Sequence, residues 1–386
     1  MRKKILFIIS NMESGGVSKS MLSLLHTVDK ETYEVDLLVV NPTGIFMDQL
    51  PEGINVIKDE KAALFFSAFP ANLSPLVHKG YWLAAFCRAV AAILSVINKG
   101  WAGLLMSKFL PALRKQYNLA VDYNGQQQLY YLIDSVNAEK KVTFFHSDYS
   151  QWSYYYSADR KYFPKVDRIF TISETCAQSL RNYFPEANQK IKVFENISSP
   201  AFITQQAGEK INEELTGHTL LTIGHLSENK GTSTALEAAK ILKKRGVLFK
   251  WYFIGADSKE KDYVYLRQQL GLENSVFFLG LRSNPYPYMS AATIIVHPSK
   301  FEGKSIALDE AKILGKPVVV TDFSTVHDQF KNKYNGTIVT MDAAAVATAI
   351  EELLLKPELA EEYRKNLLRE RIDNSGEIKK LYDLLH

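Results

Sequence analysis

The chain has 386 residues, 46% hydrophobic and 23% charged, with a net charge of +4. That length suits two domains of roughly 150 to 200 residues, and so ordinary a composition excludes a disordered, fibrous or short-repeat protein. Its two cysteines, Cys87 and Cys176, have neither CxxC spacing nor a nearby histidine, which excludes a disulfide framework and a thiolate metal site and fits a reducing, cytoplasmic compartment.

The opening "MRKKILFIISNM" is basic at its start. Its apolar run is about six residues, shorter than a secretory core, and reads as a first buried strand. "SNMESGGVSKSML" then leads into a helix from about Val17 to Thr27. Gly15 and Gly16 permit φ > 0 and close backbone approach, and the helix start offers unpaired N–H groups to an anion. The third glycine of GxGxxG and a P-loop lysine are missing, so a plain tight turn stays open. "EVDLLVV" and "INVI" read as further strands.

From Lys61 to Val121 there is no Asp or Glu, against the six or seven that the chain's average content implies, and there are seven Lys or Arg. These are Lys61, Lys79, Arg88, Lys99, Lys108, Arg114 and Lys115. Leu83, Phe86, Val90, Ile93, Ile97, Trp101 and Leu104 recur at helical spacing, with alanines on the other faces. A transmembrane span would need about 20 apolar residues, and Arg88 within it would cost roughly 2.5 to 3.5 kcal/mol. Two readings remain: a helix lying on the anionic inner leaflet of the cytoplasmic membrane, or a helix buried in the first domain.

"LAVDYN", "KVTFFHS", "RIFTIS" and "KIKVFEN" continue the alternation of short apolar strands and helices. That pattern predicts parallel sheets covered on both faces. We expect a first domain at 1–200, a polar linker at 201–217, a second α/β domain at 218–370, and a terminal helix at 371–386 packing back on the first domain. In the second domain "TLLTIG", a helix near Gly231 to Arg245, "FKWYFIG", "VFFLG", "TIIVHPS", "PVVVTD" and "GTIVT" repeat the pattern. Two such sheets set a cleft at the carboxyl ends of their strands.

"IGHLSENKG" ends a strand at Gly224 and stands Lys230 and Gly231 before a helix. A cation and free backbone donors at one point suit a diphosphate; an exposed loop lysine is the plain alternative. "KFEGKSIALDEAKILGKPVVVTD" places Glu302 and Glu310 eight residues apart. At 1.5 Å per helical residue that is about 12 Å, too far for carboxyls about 5 to 9.5 Å apart working on one bond. Two grips on an extended ligand fit better, and a cap residue with a solvated helix charge stays open.

"SGGVSKSMLSLL", "FHSDYS", "TISE", "IGHLSENKG", "FFLGLRSN" and "HPSKFEGKSIALDEAKILGKPVVVTD", in this order, resemble the retaining family 4 glycosyltransferases of GT-B fold, with two Rossmann-like domains facing across a cleft. The last stretch matches their E-x7-E motif, and its wording is similar to bacterial enzymes of surface or capsular polysaccharide assembly.

The resemblance implies a nucleotide sugar on the second domain, with "LGLRSN" pointing to a uridine diphosphate sugar. It implies Lys230 on the diphosphate, Glu310 on the ribose, and Glu302 with Gly303, Lys304, Ser305 and Ile306 near the transferred sugar. Gly224 and His225 would line the donor loop, and Leu281 and Arg282 would meet the base. Gly16 would lie beside phosphate and acceptor, and His146 would reach the sugar. Lys230, Glu302 and His146 are thus the expected catalytic residues. Ser173 and Glu174 also read as a helix cap with its acidic first turn.

The family usually has an arginine where this chain has His225. An imidazole gives one donor where guanidinium gives a charged fork, so Arg282 and Lys304 become candidates for the missing cation. Without a DxD motif, no divalent metal and no cofactor beyond the nucleotide sugar is expected. The expected reaction is front-face hexosyl transfer to a glycan or polyprenyl-linked oligosaccharide, at the cytoplasmic face of the membrane. The alternative is a sugar-nucleotide-binding scaffold subunit with little turnover. A nicotinamide oxidoreductase lacks its glycine fingerprint here, and nucleic-acid binding lacks a recognition module.

Overall fold

The computed structural model describes residues 2–13, 15–211, 213, 215–255 and 260–385, the side chain of Glu260 excepted. Ser14 of the first glycine turn, parts of the expected linker and His386 thus lie outside the described residues. The chain divides into two compact units, Met1–Ile197 with Gly376–His386, and Ser198–Ser375.

In the first unit, β1 (Lys3–Ile9), β2 (Tyr33–Val39), β3 (Ile54–Ile57), β4 (Tyr117–Asp122), β5 (Ala138–Phe145), β6 (Arg168–Thr171) and β7 (Ile191–Val193) form one parallel sheet in the order β3-β2-β1-β4-β5-β6-β7. Side chains alternate across a strand. Along β1, Ile5, Phe7 and Ile9 enter one core and Leu6 and Ile8 another. All five are buried, so the run is apolar throughout because both faces are covered. Ile378, Leu381 and Leu385 join the core beside β1 and β2. Tyr382 stacks on Tyr33 with ring centres 4.6 Å apart, and Lys380 Nζ donates to the Val193 carbonyl at 3.0 Å.

In the second unit, β8 (Thr219–Ile223), β9 (Lys250–Ile254), β10 (Val276–Phe278), β11 (Ile294–His297), β12 (Val318–Thr321) and β13 (Thr337–Val339) form a parallel sheet in the order β10-β9-β8-β11-β12-β13. Leu220 and Val296 face one core, Leu221 and Ile295 the other. Within the expected linker, Pro200–Ala207 is helical: Ser199 caps it, and Ile203 is buried in the second unit. In both sheets the strand order reverses beside the first strand, between β1 and β4 and between β8 and β11. Loops leaving the carboxyl ends there diverge and leave room for a ligand.

The helix Trp82–Ile97 is turned the other way from a core helix. It buries Ala84, Ala85 and Ala91, while Leu83, Phe86, Ile93 and Ile97 of the apolar seam are exposed. Its alanines allow close approach to Phe65 and Leu76 in a small core. The buried reading of that seam is therefore corrected. The seven cations are also less available than composition implied. Lys79 pairs with Glu60 at 2.7 Å, Lys108 with Asp134 at 3.0 Å, and Lys115 with Glu34 and Asp36 at 2.6 and 2.8 Å. Arg88 is half-buried, its Nε donating to the Phe65 carbonyl at 3.1 Å.

Candidate functional site

At the turn after β8, side chains hold a loop in place before the helix Thr232–Lys244 begins. Ser227 N–H donates to Thr232 Oγ1 at 2.9 Å, and Lys300 N–H donates to the Asn229 carbonyl at 2.8 Å, joining this loop to the one after β11. Gly231 caps the helix at φ 70°, and a Cβ there would lie 1.8 Å from the Pro298 carbonyl oxygen. Only glycine meets both conditions.

Lys230, the residue before it, reaches back across Gly224 to Glu302. Its Nζ donates to Glu302 Oε1 at 2.6 Å and Oε2 at 2.8 Å. His297, which ends β11, approaches Oε1 through Nε2 at 2.9 Å, and Ser299 Oγ donates to it at 2.9 Å. Burial alone would raise the Glu302 carboxyl; the Lys230 ammonium and His297 outweigh it and hold it at about 2. An ionised carboxylate only accepts, so His297 Nε2 carries the proton it shares. Glu302 is therefore a buried anion that orients a half-exposed lysine, and two of the three N–H groups of that lysine go to it.

Glu302, Gly303, Lys304 and Ser305 lead into the helix Ile306–Ile313. Gln329 fixes this entry, accepting from Ser305 N–H at 3.0 Å and donating to the Ser305 carbonyl at 2.9 Å and to Asp309 at 2.7 Å. Two helices thus start at the carboxyl edge of the sheet, each bringing the partial positive charge of a helix N-terminus. Glu310, inside the second helix, is buried and accepts from Tyr286 OH at 2.8 Å. Burial and Glu310 raise the Tyr286 phenol, so it stays a donor. Glu302 and Glu310 are held by different partners.

Arg282 and Lys304, the substitute cations, already face carboxylates. Arg282 NH2 donates to Glu213 at 2.8 Å, and Tyr288 OH donates to the same carboxylate at 2.6 Å. These three residues line a cavity of about 260 Å³ that also takes in Asn284. Leu281 is exposed beside it. Lys304 is almost wholly buried, its ammonium 3.9 Å from Asp309. His225 is exposed at the mouth of the loop. Lys230, itself paired with Glu302, is the lysine within this loop. Among the described residues, no group of three or more His, Cys, Asp or Glu is arranged to hold a metal ion.

The first unit has its own polar cluster at the carboxyl edge of β1 and β4. Gly15 caps the helix Gly16–Thr27 at φ 171°, extended backbone that any residue adopts, so the freedom for φ > 0 is not used at Gly15. Ser10 N–H donates to Asn124 Oδ1 at 2.7 Å; Ser20 Oγ meets Tyr123 OH at 2.7 Å and Asn196 Oδ1 at 2.8 Å. His146, the residue after β5, stacks on Phe144, lies tilted against Tyr123 with ring centres 4.5 Å apart, and bonds to the Tyr123 backbone. Burial pushes His146 down to about 4, and its Nε2 is buried without a partner among the described residues. It is a neutral ring with an acceptor to offer. Ser173 caps the helix Glu174–Tyr183 through Cys176 N–H at 3.2 Å, and Glu174 pairs with Arg181.

Tyr286, His297, Ser299 and Gln329 were not singled out from the sequence. His297 and Ser299 stand within "TIIVHPS" two residues apart, a spacing at a strand end that puts both side chains on the loop they brace.

Residues 204–369 match the family model described as "Glycosyl transferases group 1". A Campylobacter jejuni N-acetylgalactosamine-N,N'-diacetylbacillosaminyl-diphospho-undecaprenol 4-alpha-N-acetylgalactosaminyltransferase is 29% identical over 181 residues, 47% of this chain and 48% of that protein. An uncharacterized glycosyltransferase of Haemophilus influenzae is 23% identical over 368 residues, 92% of each. The chain spans less than half the length of the curated relatives it matches at 25% to 29% identity. Among solved structures, Anabaena HepE in complex with UDP and glucose superposes with a TM-score of 0.70 at 18% identity, over 100% of this chain and 99% of that one. The fold is GT-B.

Proposed function

We propose that this chain, which carries a group 1 glycosyl transferase domain at residues 204–369, moves a hexosyl group with retention from a nucleotide sugar to a glycan or lipid-linked oligosaccharide in surface polysaccharide synthesis. One observation carries the reading: a lysine held by a buried ionised glutamate, between two helix starts, at the point where the second sheet reverses. Such a place suits a diphosphate. The uridine form of the donor is supported by the fold shared with a protein solved with UDP. The lipid-linked acceptor is supported by the name of the Campylobacter relative.

In the proposed reaction the bond between the sugar's anomeric carbon and the diphosphate oxygen breaks. The acceptor hydroxyl bonds to that carbon on the same face and its proton goes to the leaving phosphate. Charge builds on the diphosphate, and Lys230 with the helix N–H groups would stabilise it. Glu302, ionised, keeps Lys230 aimed rather than giving up a proton. Glu310 and Tyr286 would hold the ribose hydroxyls, and the bare Nε2 of His146 would accept from a sugar hydroxyl. No cofactor or metal is assigned.

His225, in place of the family's arginine, is the observation that favours a weakly active donor-binding subunit. Purified protein incubated with radiolabelled UDP-sugars separates the two: release of UDP supports the enzyme, and binding without release supports the subunit.

A further inference from the structure

We propose that the outer face of the helix Trp82–Ile97 docks on an anionic lipid bilayer, lying in its interface without crossing it. Among the described residues, this helix gathers large apolar side chains that point outward together. Trp82, Leu83, Phe86, Ile93, Val96 and Ile97 are 67, 71, 67, 65, 88 and 70% exposed, while Ala84 and Ala91 are buried. At 100° per residue the six fall within an arc of about 140°, one continuous stripe. A stripe of that size on a monomer marks a surface that meets something.

Charge and residue type identify the occupant as lipid. No carboxylate occurs between Lys61 and Val121 to repel an anionic surface. Trp101, half exposed on the next helix, Lys99–Ser107, and the exposed Tyr154, whose ring centre lies 4.1 Å from Lys99 Nζ, add amphipathic aromatics beside a cation at the helix's end. Trp and Tyr concentrate where bilayer meets water. A second copy suits the face less well, since a twofold interface would set Lys99 and the acid-free stripe against themselves with no carboxylate to answer. Sixteen residues span about 24 Å, short of the roughly 30 Å hydrocarbon core, and Asn98 ends the helix by capping the next. No described helix is long and apolar enough to cross a membrane. With Lys79, Lys108 and Lys115 paired, apolar insertion carries more of the binding than charge.

The inference is independent of the transferase reading, because its test reads no sugar. The full chain is floated with vesicles of phosphatidylcholine, with and without phosphatidylglycerol. Wild-type protein is expected to float with both, severalfold more with the anionic lipid, and its tryptophan emission to shift to the blue. The triple variant Phe86→Ser, Ile93→Ser, Ile97→Ser should lose about a hundredfold in partitioning, with unchanged circular dichroism. Leu248→Ser, at a leucine 84% exposed in the second unit, should lose nothing. Wild-type protein that stays off both vesicles with unshifted emission overturns the proposal. So does a triple variant that floats like wild type, or one that only dissolves a dimer.

Discussion

The two units share a strand order and differ in what stands where it reverses. In the second, a lysine, a buried carboxylate and a histidine are wired together between two helix starts. In the first, hydroxyls, amides, a neutral histidine and the buried Asp122 carboxyl occupy the equivalent edge, and Gly15 is extended. The same topology thus presents a lysine–carboxylate pair once and, once, mainly hydroxyls and amides around the buried Asp122 carboxyl, so the sheet sets the place and the side chains set the chemistry.

The largest effect expected from breaking this contrast is on turnover. Lys230→Ala removes the charge and should lower transfer from a UDP-sugar at least about a hundredfold, measured as initial rate at saturating donor. Glu310→Ala is expected to cost at least about tenfold, mainly in KM for the donor, because it removes a hydrogen-bonding grip and not the charge. Near-normal rates in either variant would make the second unit's edge no more chemical than the first's.

Gly231→Ala tests the backbone side of the same contrast. Its Cβ would overlap the Pro298 carbonyl and its φ is left-handed, so a loss of about 2 to 4 kcal/mol is expected in denaturant unfolding. Gly15→Ala, at extended backbone, should cost less than about 1 kcal/mol.

The first unit's edge is also expected to show in pH dependence. His146 titrates near 6.5 when unfolded and at about 4 when folded. Its neutral form is the folded one, so its contribution is present above pH 6.5 and is lost as pH falls towards 4. Thermal unfolding from pH 7 to 4 should therefore fall less steeply for His146→Gln than for wild type. Equal slopes would mean that the ring is solvated.

Most of the framework was legible because parallel strands buried on both faces leave short apolar runs such as "KILFIIS" and "PVVV". The meeting of the loops after β8 and β11 was legible as well, since Gly224, Lys230 and Glu302 stand at strand ends that such a sheet brings together. What the text did not reveal was pairing. Nothing in the spacing joins Lys230 to Glu302 across 72 positions, gives Arg282 to Glu213, or hides Lys304 against Asp309. The helix Trp82–Ile97 shows a second limit. Its periodicity defines a stripe, but not whether the stripe or the alanines face inward, because that depends on the neighbours Phe65 and Leu76.

The central claim is that Lys230, braced by Glu302, is the diphosphate's cation. Calorimetric titration of UDP into wild-type protein and into Lys230→Met, each shown to be folded by circular dichroism, tests it without requiring an acceptor. The account predicts that the variant binds UDP at least about tenfold more weakly. An unchanged dissociation constant would contradict it.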